Sequence, residues 1–353
     1  MARIHPQFRL NGTAYTAETL LVAAQKWNSD EDRELRELAQ FVTDWCSEKT
    51  HMSLQTSGSS GQPKTIVLPK TAFEASVLQT GQFFNLSAGD SALLCLPLRY
   101  VAGKMMLLRA MVLGLALDRI PPKTVLSYRN KVYDFGALIP LQAQHNLDKL
   151  EQIKTLLIGG ASISPALRKK LTTHPNCVET YGMTETLTHI ATRPVKLSPV
   201  PFQALPQIEL ETTADRCLVI KAPYITKTPI ATHDVVRMHG PNSFALLGRL
   251  DWVINSGGLK IFPEQLEEKL AEVLTVPFFF AGLEDDTLGE KLALLVEVSQ
   301  DKKEEINQLV KNHFGNEKHH FPKEVICVAA FVYTSSGKLD RKKTKVLAMG
   351  NSK

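Results

Sequence analysis

No cysteine pair in this chain stands at metal or redox spacing. Its five cysteines (Cys46, Cys95, Cys177, Cys217 and Cys327) lie far apart, with no CxxC and no Cys/His pair at zinc spacing. An odd, scattered set excludes a disulfide framework and fits reduced thiols of the cytosol. Long apolar runs are missing too. The most hydrophobic stretch, "SALLCLPLRYVAGKMMLLRAMVLGLAL", is broken by Arg99, Lys104 and Arg109. Those charges disfavour a membrane span and leave a strand, a loop and a buried helix. The opening "MARIHPQFRLNG" has no apolar signal core, so the expected location is cytoplasmic. No aromatic-basic RNA motif occurs, and the net charge of +5 is mild. It suits small anionic substrates, with neither nucleic acid nor membrane as partner. The basic run "KLDRKKTK" near the C-terminus reads as a solvated tail. Internal repeats and low-complexity tracts are absent.

What is present is concentrated in "TSGSSGQPKTIVLPK", residues 56–70. Small hydroxyls and glycines gathered before a cation fit a phosphate cradle, in which backbone N–H groups approach the anion and lysine adds a point charge. They also fit a flexible linker. The β-branched "TIVLP" that follows predicts a strand, which a linker does not need. The NTPase loop G-x-x-x-x-G-K-[ST] is excluded. Gly58 and Gly61 are too close together, and Pro63, which has no N–H, precedes Lys64.

With 353 residues, 44% of them hydrophobic, the chain has material for two domains. An amphipathic helix is predicted over about 30–48. Strands at "ALLCLP", "KTLLIGGA" and "CVETYG" alternate with helices at "PKTAFEASVLQTGQFFN", "GKMMLLRAMVLG" and "SISPALRKKLTTH", the last with Ser164 as N-cap and Pro165 in its first turn. Alternation of this kind predicts an α/β layer architecture. From about residue 200 short β segments take over. Beyond "GRLDWVINSGG" an α+β pattern begins: the helix "PEQLEEKLAEVL", strands at "FFFAGL", "KLALLVEV" and "VICVAAFV", and a helix at "KKEEINQLVKNHF". The fold class expected is therefore α/β: a large N-terminal domain of layered sheets with a small β-rich subdomain (1–250), then a small α+β domain (251–353).

Further clusters add chemistry. "YGMTET", 181–186, follows a strand. Its tyrosine suits a flat base, Thr184 a phosphate oxygen, and Glu185 a Mg²⁺ ion, which prefers oxygen. "LIGGA", 157–161, presents backbone without side chains, as an ordinary strand-to-helix turn also does. "GRLDWVINSGGLKIFPEQLE", 248–267, joins the β-rich stretch to the tail, and "TSSGKLDRKK", 334–343, sets Lys338 after a serine-glycine turn.

In this order the four stretches resemble the motifs of the adenylate-forming superfamily: acyl- and aryl-CoA ligases, luciferases and peptide-synthetase adenylation domains. "TSGSSGQPK" resembles its phosphate loop and "YGMTE" its Tyr-Gly-x-Thr-Glu motif. "GRLDWVINSGGLKIFPEQLE" is similar to its hinge segment and "SSGKLDR" to its catalytic-lysine motif. The resemblance runs from about 53 to 341. It implies ATP-dependent activation of a carboxylic acid as an acyl-adenylate, with Mg²⁺, and transfer to CoA. It also implies that the C-terminal domain is mobile. Thr56, Ser57, Gly58, Ser59, Ser60, Gly61 and Lys64 would hold the phosphates. Gly160, Ala161, Thr180, Tyr181, Gly182 and Met183 would frame the adenine. Thr184 would touch phosphate, Glu185 hold Mg²⁺, and Lys338 serve adenylation. Asp234 and Arg249 would meet the ribose, although His233 stands where a glycine is usual. Asp251 would be the hinge, and Gly257 and Gly258 would line the CoA channel.

The phosphate loop begins after only about fifty residues, which implies a reduced front subdomain. "LCLPLRYVAGKMMLLRAMVLG" resembles a stretch of the compact o-succinylbenzoate–CoA ligases of menaquinone synthesis, with Tyr100 where they have histidine. Tyr100, Lys104 and Gly160 would then line the acid site. A di-acid leaves one carboxylate unreacted, and a cation about 4 Å away is worth about 4 kcal/mol at an effective dielectric of about 20, before desolvation. Arg99, Lys104 and Arg109 are the candidates, Lys104 foremost; all three also read as surface charges. Ligases of other aryl or short acyl acids and a protein loading a carrier-protein thiol fit the same motifs; a non-catalytic nucleotide-binding protein is the rival of a different class, and it would not need Lys338. A monomer or a homodimer is expected.

Overall fold

A sheet of thirteen strands dominates the chain. The computed structural model describes residues 4–55, 64–127, 131–315, 320–333 and 339–350. At the centre of the large sheet six strands run parallel: Arg9–Leu10, Ala116–Arg119, Ser91–Leu94, Tyr133–Leu138, Ile153–Ile158 and Cys177–Gly182, in that spatial order. Their apolar runs suit strands covered on both faces. Beyond Cys177–Gly182 the pairing turns antiparallel, through His189–Pro194 and Phe202–Ala204 to Ser243–Arg249 and Ile230–Met238. The β-rich segment is thus an edgewise continuation of the same sheet, and this brings Asp234 and Arg249 to the side on which Tyr181 lies.

Helices pack on the sheet where their periodicity predicts. Arg33–Cys46 starts at Asp32, whose carboxylate accepts from Glu34 N–H at 2.9 Å, and buries Leu38, Ala39, Phe41, Val42 and Trp45. Val101–Leu113 is buried along almost its whole length and ends at Gly114 in the left-handed region. Ser164 caps Pro165–Leu171 through Leu167 N–H. Among the described residues no helix is long and apolar enough to cross a membrane.

Two features stand apart from the large sheet. His51–Gln55 and Thr65–Pro69 form a two-stranded antiparallel hairpin, with Gln55 opposite Thr65. From Ile254 a second sheet of five strands is built on Phe278–Asp285 and Gly289–Glu297, with helices Pro263–Leu270 and Lys303–Phe314 packed on it. The fold is therefore α/β with a smaller α+β unit, as the order of elements predicts.

Two expectations need correction here. "VICVAAFV" is strand only over Glu324–Val328. The basic run at the C-terminus is not a solvated tail beyond Asp340. Arg341–Gly350 is a helix that buries Thr344 and Ala348. Arg341 grips Glu267 with two bonds of 2.7 and 2.5 Å, and Lys345 donates to the Gly282 carbonyl. A carboxylate 74 residues away decides the matter, and no local pattern announces it.

Candidate active site

The parallel strands Ile153–Ile158 and Cys177–Gly182 end side by side, and the loops that leave them carry the clusters picked out in the sequence. Gly160 adopts φ +82, left-handed backbone that only glycine enters without strain, and with Ala161 it is exposed. Thr180 donates to the Ile158 carbonyl at 3.3 Å, tying the two strand ends together. Beneath them Glu179 holds the strand in place. It accepts from Arg168 at 2.7 Å and from both Nε and Nη2 of Arg193, all three side chains being largely buried.

After Gly182 the chain folds into a single 3₁₀ turn, Thr184–Thr186. The Thr186 hydroxyl organises it, accepting from Met183 N–H at 3.0 Å and facing the carbonyls of Met183 and Thr188. Leu187, wholly buried at φ +61, then reverses the chain. That is a strained conformation for a bulky side chain, of the kind that collects at functional sites. The reversal lays Thr188 and His189 against Gly182, where a Cβ would collide with the Thr188 carbonyl. Thr184 and Glu185 are left half-buried. Among the described residues the Glu185 carboxylate makes no hydrogen bond or ion pair, and no cluster of three metal-binding side chains exists. A single carboxylate that leaves other positions to phosphate and water fits Mg²⁺.

Tyr181 is buried against Phe202 and Phe244 and donates from its hydroxyl to Asp234 at 2.6 Å. Burial, and then the Asp234 charge, drive its pKa far above the usual phenol value. Asp234 also accepts from Arg249 at 3.3 Å. Arg249 in turn donates to Asp251 at 2.9 Å, and His233 meets the other Asp251 oxygen at 2.8 Å. Burial opposes ionisation of Asp251, but Arg249 and His233 outweigh it and hold its carboxyl below the ordinary value. A continuous hydrogen-bonded chain thus joins Tyr181, Asp234, Arg249, Asp251 and His233. The sequence marked four of these positions separately. Their linkage rests on strand order that brings Tyr181 to Asp234, 53 residues away, and has no local signature.

The cations of the "LPLRYVAGK" stretch part company. Arg99 lies over the half-exposed ring of Tyr100, 4.7 Å from its centroid. Lys104, half-buried, faces Glu37 and Asp44 of the helix Arg33–Cys46. Burial lowers its pKa, and those two carboxylates partly offset the effect. Arg109 is buried at 3% exposure and reaches the other way, donating to Thr188 Oγ1 at 2.5 Å and to the Met106 sulfur at 3.6 Å. Its Nε is buried with no partner, and among the described residues no carboxylate pairs with it. Burial lowers its pKa to about 10. His189 sits alongside. Its Nδ1 is 3.2 Å from Thr188 Oγ1 and its Nε2 is buried without a partner. Burial and then the Arg109 charge lower its pKa to about 3, so the imidazole is neutral. His189 was missed in the sequence. Its only signal was its place three residues past the motif 181–186.

Of the remaining positions, Lys64 is exposed at the head of strand Thr65–Pro69. Gly257 and Gly258 form the exposed left-handed turn between Ile254–Ser256 and Leu259–Ile261. Thr56, Ser57, Gly58, Ser59, Ser60, Gly61 and Lys338 lie outside the described residues.

This arrangement, parallel strand ends with glycine turns beside a tyrosine–aspartate–arginine chain, is that of a nucleotide-binding enzyme of the adenylate-forming class. The model of the AMP-binding enzyme family matches residues 12–213, and the chain belongs to that family. A 2-succinylbenzoate–CoA ligase of Listeria monocytogenes is 24% identical over 87% of this chain and 72% of its own length. The crystal structure of an acyl-CoA synthetase (AMP-forming)/AMP-acid ligase II-like protein from Dyadobacter fermentans is 28% identical. It covers 93% of this chain and 98% of the other, with a TM-score of 0.60. The O-succinylbenzoate coenzyme A synthetase of Bacillus subtilis, solved with ATP and magnesium, shares the fold at 18% identity and a TM-score of 0.70, over 95% and 83% of the two chains.

Proposed function

We propose that the chain is an AMP-forming acid–CoA ligase and that its acid is o-succinylbenzoate. The observation that carries the substrate is Arg109, a buried cation with no carboxylate partner among the described residues, bonded to the segment that packs under Gly182. A buried charge is ordinarily paired, and a second carboxylate on the substrate would complete this one. The names of the relatives point the same way.

In this reading Thr56, Ser57, Ser59, Ser60, Lys64 and Thr184 hold the phosphates of ATP. Gly160, Ala161 and the strand Thr180–Gly182 frame the adenine, and Asp234 with Arg249 positions the ribose. The substrate's aliphatic carboxylate attacks the α-phosphorus and pyrophosphate leaves. Lys338 stabilises the charge that builds up there. Mg²⁺, held by Glu185, supplies positive charge against the phosphate oxygens when bound. The CoA thiol, losing its proton, then attacks the acyl carbon and AMP departs. Rotation at Asp251 brings Gly257 and Gly258 to the thiol's path between the two steps.

Pyrophosphate release across o-succinylbenzoate, benzoate, 4-phenylbutyrate, medium-chain fatty acids and amino acids tests the substrate. The di-acid should be preferred. Preference for any mono-acid overturns the assignment and leaves an adenylate-forming ligase. A second expectation concerns the pivot. Asp251→Pro fixes φ at that position, so one half-reaction should survive far better than the other. Equal loss of both in a folded variant argues against rotation there.

A further inference from the structure

The two sheets meet beside the hinge, where Val253 and Phe262 pack against Cys217, Val235 and Leu247, and polar contacts flank this cluster. Lys260 pairs with Asp215 at 3.6 Å, the Arg216 guanidinium lies 5.9 Å from the Phe262 ring centroid, and Glu264 reaches strand Ser243–Arg249. Lys260, Asp215 and Arg216 are exposed, whereas Glu264 is half-buried. Glu264 stands in the first turn of helix Pro263–Leu270, which belongs to the second sheet. Its Oε1 accepts from the Arg249 backbone N–H at 3.1 Å, and the carboxyl lies so close to Gly248 that a Cβ there would collide with it. Its Oε2 is buried with no partner.

Arg249 is also the residue whose guanidinium joins Asp234 to Asp251. One side chain of the small unit therefore holds the backbone of the residue that links the ribose position to the hinge. One turn further along the same helix, Glu267 holds Arg341 and the Phe280 N–H. The helix is thus rigidly part of the small unit, and Glu264 is its contact across the boundary.

A carboxyl with one bond and one orphaned oxygen is a poor permanent fixture. Burial raises the Glu264 pKa, with its own backbone N–H, then Arg341 and the Arg249 N–H, opposing. If the small unit swings away, the carboxylate regains water and Arg249 N–H loses an acceptor. Both changes are reversible and small.

We propose that Glu264 is a positioning residue, a latch that holds the small unit against Arg249 and sets how the enzyme divides its time between its two half-reactions. The proposal rests on the ligase reading for its chemistry. The latch contact itself does not.

Two substitutions separate the latch from a merely structural role. Glu264→Ala removes the acceptor and leaves Arg249 N–H unsatisfied, so the latched arrangement weakens. Glu264→Gln keeps an acceptor and removes the charge that burial disfavours, so it strengthens. The ratio of thioester formation from supplied acyl-adenylate to adenylation should move in opposite directions in the two variants, by about fivefold each, the scale of one hydrogen bond. Hydrogen–deuterium exchange of the peptide spanning 243–251 should be fastest in Glu264→Ala and slowest in Glu264→Gln. That measurement needs no substrate and stands whether or not the ligase reading holds. Exchange that is unchanged, or that shifts the same way in both, overturns the latch. Exchange in the expected order with an unmoved half-reaction ratio overturns its control of the chemistry. Failure of the unsubstituted protein to release pyrophosphate with any acid counts against the ligase reading alone.

Discussion

Lys338→Ala should slow adenylation by about 10²–10³, the effect of removing one charged contact to a transition state. A carboxylate approaching a triphosphate meets like charge throughout, and negative charge passes from the entering oxygen towards the leaving pyrophosphate oxygen in the transition state. A lysine there is worth more in the transition state than in the ground state, so the loss should fall on kcat more than on KM. Thioester formation from supplied acyl-adenylate should be nearly unaffected, because in the rotation scheme the lysine has left the site by then. Single-turnover assays of the two half-reactions check this directly. If both steps slow equally, one lysine position serves both and the rotation scheme fails.

Arg109→Met should have opposite effects on activity and on stability. A guanidinium taken out of water with only a hydroxyl and a thioether as partners destabilises the ligand-free fold. An apolar side chain of similar length should leave that fold as stable or more so, by about 1–4 kcal/mol. Binding of the di-acid should fall by about 2–5 kcal/mol, since its second carboxylate would be buried without a cation. A mono-acid lacking that group should be little affected. Thermal melts with and without o-succinylbenzoate, set beside KM for both acids, check the pair of signs. A variant that melts lower and loses both acids alike would show Arg109 to be a structural residue, and with it the motive for a di-acid would go.

Legibility in the sequence followed the range of the interactions. Ser164 as a cap, Gly114 ending a helix, and the strand "TIVLP" were readable because a few neighbouring residues determine them. The motifs were readable as positions. What they touch was not. Tyr181 and Asp234 are 53 residues apart, Arg109 and Thr188 are 79 apart, and Glu267 and Arg341 are 74 apart. Each pairing is decided by strand order and helix packing, which a local pattern does not encode. Lys104 and Arg109 show the cost. Both sit on one apolar helix, and only packing reveals that one faces the acids of a neighbouring helix while the other faces the strand-end turn.

Among the described residues the hairpin His51–Gln55/Thr65–Pro69 pairs with no strand of either larger sheet, and it leads directly into helix Lys70–Phe83, where Lys70 N–H bonds back to the Thr50 carbonyl at 2.8 Å. For protein engineering this makes the register of the hairpin a local matter, set by its own two strands. A one-residue slip inside a large sheet turns every side chain of the strand to the wrong face. Here a slip would turn Met52, Leu54 and Leu68 out of the core while leaving the pairing of both larger sheets unchanged.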